Sequence, residues 1–353
     1  MPFEIVRNDI VNMEVDAVVN TANPEPIIGS GVESAIYKKA GNELLADRRK
    51  IGSIPLGEVA ITPGYELNSK YVIHAVGPSW NDGKHGERKV LASCYKKSLE
   101  LAKEHNCESI AFPLLSTGNY GFPKALALQI AVQQISNFLL ENEMQVYLVV
   151  FGKEEFALSE KLFKSVNSYI DDNYIQDRFF DEYGMDESDF EIGEIRREPI
   201  FRSNAKMSVA SNIDEDEYDS YSYNEPSIVD IDNLGELLDD LDAGFSETLL
   251  KLIDRTGKKD SEIYKKANID RKLFSKIRNN MEYKPSKTTA LAFAFALELN
   301  LEDTQDFIGR AGYALSHSNK FDVIIEYFLV NRNYDIYELN EVLFAFDQPL
   351  LGS

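Results

Sequence analysis

Apolar positions follow two alternating spacings over the first half of the chain and a single spacing over the last third. Short apolar runs bounded by turn residues predict strands at 3–7, 17–20, 59–62, 71–76, 109–113 and 146–151. Runs such as AVVN and IAFPLL carry no polar side, which suits strands buried on both faces of a sheet. Between them, apolar residues spaced three and four apart predict helices at 34–40, 89–104, 124–140 and 157–169. Glycine and proline fall between these segments, where turns are required. Strand and helix in alternation predict a layered α/β domain over residues 1–170.

The pattern changes twice further on. Over residues 171–244 the period is lost and acidic residues dominate, as in DESDFEIGE and IDEDEYDSYSYNE, so an acidic, disordered linker is expected. From residue 245 to the end at 353 a helical period returns, with breaks at Gly257 and Pro285, which predicts a small all-α domain. Length alone favours two domains, because 353 residues exceed one typical core.

Charge sharpens this division. The net charge of −22 opposes bulk affinity for nucleic acid, yet residues 251–287 are locally rich in Lys and Arg. The longest apolar runs are strand-sized, so no membrane span is expected, and the start MPFEIVRNDI lacks the features of a secretion signal. Two cysteines, Cys94 and Cys107, form no framework and no Cys/His cluster has metal-ligand spacing. A reducing cytoplasm, no metal and no membrane partner are the expectations. Within the strand YVIHAV, His74 reads as a core histidine satisfied by a neighbour.

Two segments carry candidate chemistry. The first is NTAN followed by IGSGVESAI, where a buried strand ends in polar residues and a glycine turn (Gly29, Ser30, Gly31) opens a helix at Val32. The second is Ser116-Thr117-Gly118-Asn119-Tyr120-Gly121 between the strand IAFP and a helix opened by Pro123. Small residues let backbone N–H groups approach a ligand, and a helix N-terminus adds partial positive charge. Phosphate is the natural guest, and two such loops at strand ends suit a diphosphate.

The ordered blocks RNDI, VVNTAN, GSGVESAI, GEVAITPGY, YVIHAVGP, CYKKSLELA, IAFPLLSTGNYGFP and VYLVVFG resemble the macro domain family over about residues 1–168. The resemblance implies a three-layer α/β/α fold with a mixed central sheet, and ADP-ribose as ligand with no required cofactor. It implies that Asp9 receives the adenine amino group, that Ile10 adds a backbone contact, and that Phe151 packs on the adenine face. Gly29, Ser30, Gly31 and Val32 form the first phosphate loop, and Ser116, Thr117, Gly118, Asn119, Tyr120 and Gly121 the second, with Tyr120 beside the distal ribose. Asn23 contacts that ribose and, in the hydrolase branch, works with an acid at the position of Glu33 that orients or deprotonates a water for attack at the anomeric carbon.

Three positions depart from the family pattern. Glu33 stands where the hydrolase branch has aspartate, and one methylene displaces a carboxylate by about an ångström, enough to cost about a hundredfold in rate. Ser30 replaces a common glycine, and Asn119 replaces an aliphatic residue. The expected activity is hydrolysis of ADP-ribose esters on proteins or on small acylated ADP-ribose; the alternative is a non-catalytic nucleotide sensor.

The C-terminal stretch 261–280 is similar to a phage-repressor helix-turn-helix, with SEIYKKANI as the first helix and DRKLFSKIRNN, capped by Asp270, as the second. That similarity implies Arg271, Lys272, Ser275, Lys276 and Arg278 facing a DNA groove or phosphates. A helical module that binds a protein is the equal alternative.

Overall fold

The computed structural model describes residues 2–151, 162–171, 173 and 243–352. The acidic linker expected at 171–244 lies almost wholly outside the described residues. The first half alternates as expected: β1 (Phe3–Arg7), a 3₁₀ turn (Ile10–Asn12), β2 (Ala17–Thr21), α1 (Val32–Ala40), α2 (Asn42–Ile51), β3 (Val59–Pro63), β4 (Tyr71–Ala75), α3 (Glu87–Glu104), β5 (Ser109–Pro113), α4 (Lys124–Glu141) and β6 (Gln145–Val150). Helix α2, rich in charge over NELLADRRKI, was not expected; it buries only Leu44 and Arg48.

The six strands form one sheet in the order β1-β6-β5-β2-β4-β3. All neighbours run parallel except β3 against β4, so the sheet is mixed. One face packs on α1 and α2 through Val18, Ile36, Tyr37, Leu44 and Val72. The other packs on α3 and α4 through Val19, Ile73, Tyr95, Leu99 and Ile135. This three-layer arrangement leaves the C-terminal ends of β1, β2, β5 and β6 free to carry loops at one edge, the usual place for a ligand in an α/β sheet.

Among the described residues, 162–171 are helical, and seven helices lie beyond residue 243: α5 (Phe245–Thr256), α6 (Asp260–Lys266), α7 (Arg271–Asn279), α8 (Lys287–Ala296), α9 (Leu301–Gly309), α10 (Lys320–Val330) and α11 (Ile336–Ala345). Helix α8, apolar on every side over KTTALAFAFA, is buried in the middle of them, which is where such a helix belongs. The sheet and the helices belong to one compact unit.

Their junction is built on β1, an edge strand. Val146 donates its N–H to Pro2 O, so the N–H and C=O of Phe3 face away from β6. Asn268, in the turn between α6 and α7, takes both: it accepts from Phe3 N and donates to Phe3 O, each at 3.0 Å. At the other end of β1, Arg7 pairs with Asp347, donates to Phe344 O and lies 4.6 Å over the Phe344 ring. Among the described residues no helix is long and apolar enough to cross a membrane.

Candidate functional site

A cleft of about 580 Å³ opens at the strand C-termini, a volume suited to a small organic ligand. Asp9, Ile10, Asn23, Gly29, Ser30, Gly31, Val32, Glu33, Ser116, Thr117, Gly118, Asn119, Tyr120 and Phe151 all line it. Gly121 does not; it sits behind the second loop at φ +66° and bonds to Gly118 O. Lys124, the first residue of α4, also lines the cleft and was not expected there. A cation directly after a candidate phosphate loop is the signal that could have found it.

At one end, Asp9 follows β1 and caps the 3₁₀ turn, its Oδ1 accepting from Val11 N at 3.1 Å. Its Oδ2 bonds to none of the described residues. Phe151, just past β6, is 73% exposed at the same end.

In the middle, two helices start at the cleft without a side-chain cap, α1 from Gly31 and α4 from Pro123. A helix N-terminus without a side-chain cap is a place suited to an anion. Gly31 has φ 64° and ψ −131°, a conformation L residues avoid, and this aims the loop backbone inward. Ser116 also has positive φ, at 63°, and the loop it opens is closed by Phe122 N donating to Ser116 O. Strain of this kind collects at ligand clamps. Asn119 donates to Ser30 Oγ at 2.7 Å, so two of the residues that depart from the family pattern join the loops to each other.

At the far end, Glu33 on the first turn of α1 is buried and fully engaged. Its Oε2 accepts from Asn23 Nδ2 at 2.6 Å and Gly29 N at 2.8 Å, and its Oε1 from Asn23 N at 3.3 Å and Asn20 Nδ2 at 3.4 Å. A Cβ on Gly29 would lie 2.7 Å from Glu33 Oε2 and 2.8 Å from Asn23 Nδ2, so any larger residue there displaces one of these two side chains. Asn23 is held on every side: its Nδ2 also donates to Ile27 O at 3.3 Å, and its Oδ1 accepts from Tyr120 Oη at 3.2 Å. Burial, then the Glu33 carboxylate, raise the pKa of the Tyr120 phenol, which keeps its proton.

Two residues outside the expected set hold this end. Arg48 on α2, 1% exposed, donates to the carbonyls of Asn23, Pro24 and Gly52, which fixes the backbone that carries Asn23. Asn20 links Glu33 to His74. His74 is the buried, satisfied histidine expected, and burial pushes its pKa down to about 3. Cys94 and Cys107 are both buried and pack in the core.

Asp82, His85 and Glu87 bring possible ligand atoms within 4.8 Å of one another. Backbone N–H groups, its own first and then those of His85 and Gly83, hold the Glu87 carboxyl down at about 2, so this carboxylate is already engaged in the turn that leads into α3.

Away from the cleft, Asp270 caps α7 by accepting from Leu273 N at 2.9 Å. Arg271, Lys272, Ser275, Lys276 and Arg278 are exposed, while Phe274 and Ile277 face the core. Arg278 pairs with Asp260, and Lys276 lies 5.2 Å over the Tyr283 ring. The turn before α7 is buried, with Ala267, Asn268 and Ile269 closed off at the junction with β1.

Comparison with known proteins agrees with this geometry. The macro domain family profile matches residues 19–131. A macro domain-containing protein of Methanosarcina mazei is 47% identical over 166 residues, 46% of this chain and 89% of that protein. An O-acetyl-ADP-ribose deacetylase of Escherichia fergusonii is 42% identical over 166 residues, 45% of this chain and 94% of that protein. Among solved structures, the Oceanobacillus iheyensis macrodomain with ADP is 38% identical, covering 47% of this chain and 92% of its own, with a TM-score of 0.43. From the profile and the Methanosarcina mazei and Escherichia fergusonii sequences, each matched over most of its own length, the chain belongs to the macro domain family.

Proposed function

We propose that the cleft binds ADP-ribose and that the chain hydrolyses ester linkages to it, on a modified protein or on a small acylated ADP-ribose. The observation that carries this reading is the order of groups along the cleft. An acid and an exposed ring come first, then two uncapped helix N-termini, then an asparagine with a carboxylate. An adenine, a diphosphate and a second ribose meet those groups in the same order. The name of the Escherichia fergusonii relative supports the ester as the linkage.

The adenine amino group donates to Asp9 Oδ2, and Phe151 covers the ring face. The diphosphate lies on the N–H groups of Gly29–Val32 and Ser116–Gly121, with Lys124 adding charge at the second loop. The distal ribose takes the place of Ile27 O on Asn23 Nδ2, with Tyr120 donating beside it. Glu33 Oε1, whose two bonds are the long ones, receives the proton of a water as that water adds to the acyl carbon. The ester C–O bond then breaks, and the ribose oxygen leaves with the proton that Glu33 had taken, which restores the carboxylate.

Calorimetry with ADP-ribose and release of acetate from O-acetyl-ADP-ribose test the two halves. Unchanged affinity in Asp9→Ala overturns the site, and full turnover in Glu33→Ala overturns the chemistry.

One observation favours a second reading, in which the chain senses ADP-ribose without turnover. All four donors around Glu33 must be kept or exchanged for the carboxylate to act. The helical region then serves as the output, through the exposed basic face of α7 on DNA or through a protein partner. Salt-dependent DNA binding by the full chain, with no acetate release, would favour that reading.

A further inference from the structure

Four polar side chains run in a line beneath the cleft floor, from the sheet edge to Glu33. Thr62 on β3, His74 on β4 and Asn20 on β2 lie on the sheet face covered by α1 and α2. Asn20 stands opposite His74 in the strand register, and Thr62 is one diagonal step away. All three are buried, at 3%, 0% and 0% exposure.

The hydrogen bonds in this line can be made in only one sense. A carboxylate only accepts, so the Asn20 atom 3.4 Å from Glu33 Oε1 is the Nδ2 donor. The same Nδ2 lies 3.2 Å from His74 Nδ1, which must therefore accept. The His74 proton then sits on Nε2 and is donated to Thr62 Oγ1 at 3.0 Å. Burial keeps the ring neutral, so both nitrogens hold these roles across ordinary pH.

The line is not arranged for stability. With Nδ2 turned to two acceptors, Asn20 Oδ1 is buried with no partner among the described residues. An orphaned buried acceptor is a cost, and in a native structure it calls for a reason. The reason on view is the orientation of Glu33, because the other end of that carboxylate fixes Asn23 Nδ2 and Gly29 N.

We infer that Asn20 and His74 are positioning residues, a buried relay from Thr62 that sets the angle of the Glu33 carboxylate toward the distal ribose. This rests on the reading of the cleft as an ADP-ribose ester hydrolase. Neither residue lines the cleft, so both act through Glu33. Asn20 supplies one of the two donors on Oε1, the oxygen assigned to the water, and His74 stops the Asn20 amide from turning over. Outer partners of this kind change rate by about tenfold to a hundredfold when lost.

The test uses the full chain with O-acetyl-ADP-ribose. Asn20→Ala is expected to lower kcat about tenfold or more while KM changes by less than about twofold. His74→Phe is expected to follow in the same direction. Together they are expected to be no worse than Asn20→Ala alone, because His74 has no route to Glu33 except Asn20. Additive losses, or a KM change that accounts for the loss, would overturn the relay.

Two readouts stand whether or not the ester is turned over. The chain has four histidines, so selective ¹⁵N labelling resolves the His74 ring, expected as the Nε2–H tautomer; the Nδ1–H tautomer overturns the inference. Amide exchange at Gly29 is expected to quicken in Asn20→Ala at unchanged melting temperature, and unchanged exchange overturns it too. Absence of turnover in the wild type, with these two as expected, removes the proposed activity and leaves the relay.

Discussion

Asn119 donates its side-chain amide to the hydroxyl of Ser30 across the cleft, at 2.7 Å. Each replaces a residue more usual in the family, and each has the other as its partner. A bond that joins the two phosphate loops affects how long a ligand stays more than how fast it arrives. In Asn119→Ala the ADP-ribose off-rate is expected to rise about threefold to tenfold, the worth of one exposed hydrogen bond, measured by stopped-flow. Ser30→Gly should give the same rise, and the double variant no more.

Asp9 has two tasks, the cap on Val11 N and the proposed adenine contact. Asp9→Ala is expected to lower ADP-ribose affinity about tenfold to a hundredfold by calorimetry, the range for a hydrogen bond to a charged group. Asp9→Asn keeps a cap acceptor but turns a donor toward the adenine amino group. Affinity should fall in that variant as well, with the melting temperature close to wild type.

Gly29→Ala places a methyl 2.7 Å from Glu33 Oε2 and 2.8 Å from Asn23 Nδ2. The carboxylate or the amide has to move by a good part of an ångström. Ester hydrolysis is expected to fall about a hundredfold, while the fold, followed by circular dichroism, is retained.

Asn268→Ala leaves the N–H and C=O of Phe3 without their partners in a buried place. The expected loss is about 1–3 kcal/mol, read as a lower melting temperature or denaturant midpoint. Since β1 leads directly to Asp9, ADP-ribose affinity should also weaken, and by more than it does in a variant of equal stability cost elsewhere in the helical region.

His74 sets an acid limit. Its folded-state pKa of about 3 lies below the unfolded value of 6.5, so the unfolded chain takes up a proton between them that the folded chain refuses. The contribution is complete above pH 6.5 and is lost as pH falls toward 3. The melting temperature of His74→Phe is expected to decline less steeply than wild type over that window.

The strands were legible because their residues state their burial locally. AVVN, YVIHA and SIAFP are mostly apolar at successive positions, and a sheet covered on both faces asks for that. The loop residues were legible from small size and position between strand and helix, and all but Gly121 line one cleft. Helix α2 was not, because ADRRK reads as a solvated charge run until Arg48 is seen folded under the Asn23–Pro24 backbone. Asn20 was hidden inside a strand, where its partner His74 lies fifty-four residues away. Sequence periodicity contains no term for such contacts. The basic residues of α7 lie on an exposed face, while nothing in KKANID announces that the turn is buried at the start of β1.

That turn has a consequence for solubility. An edge strand with unpaired N–H and C=O groups is a template for another strand, and β1 is such an edge on the side away from β6. Asn268 stands in for one residue of a missing strand and ends the ladder there, while Arg7 and its charge guard the other end. A chain cut before residue 243 would present β1 open, a template for added strands and so for self-association.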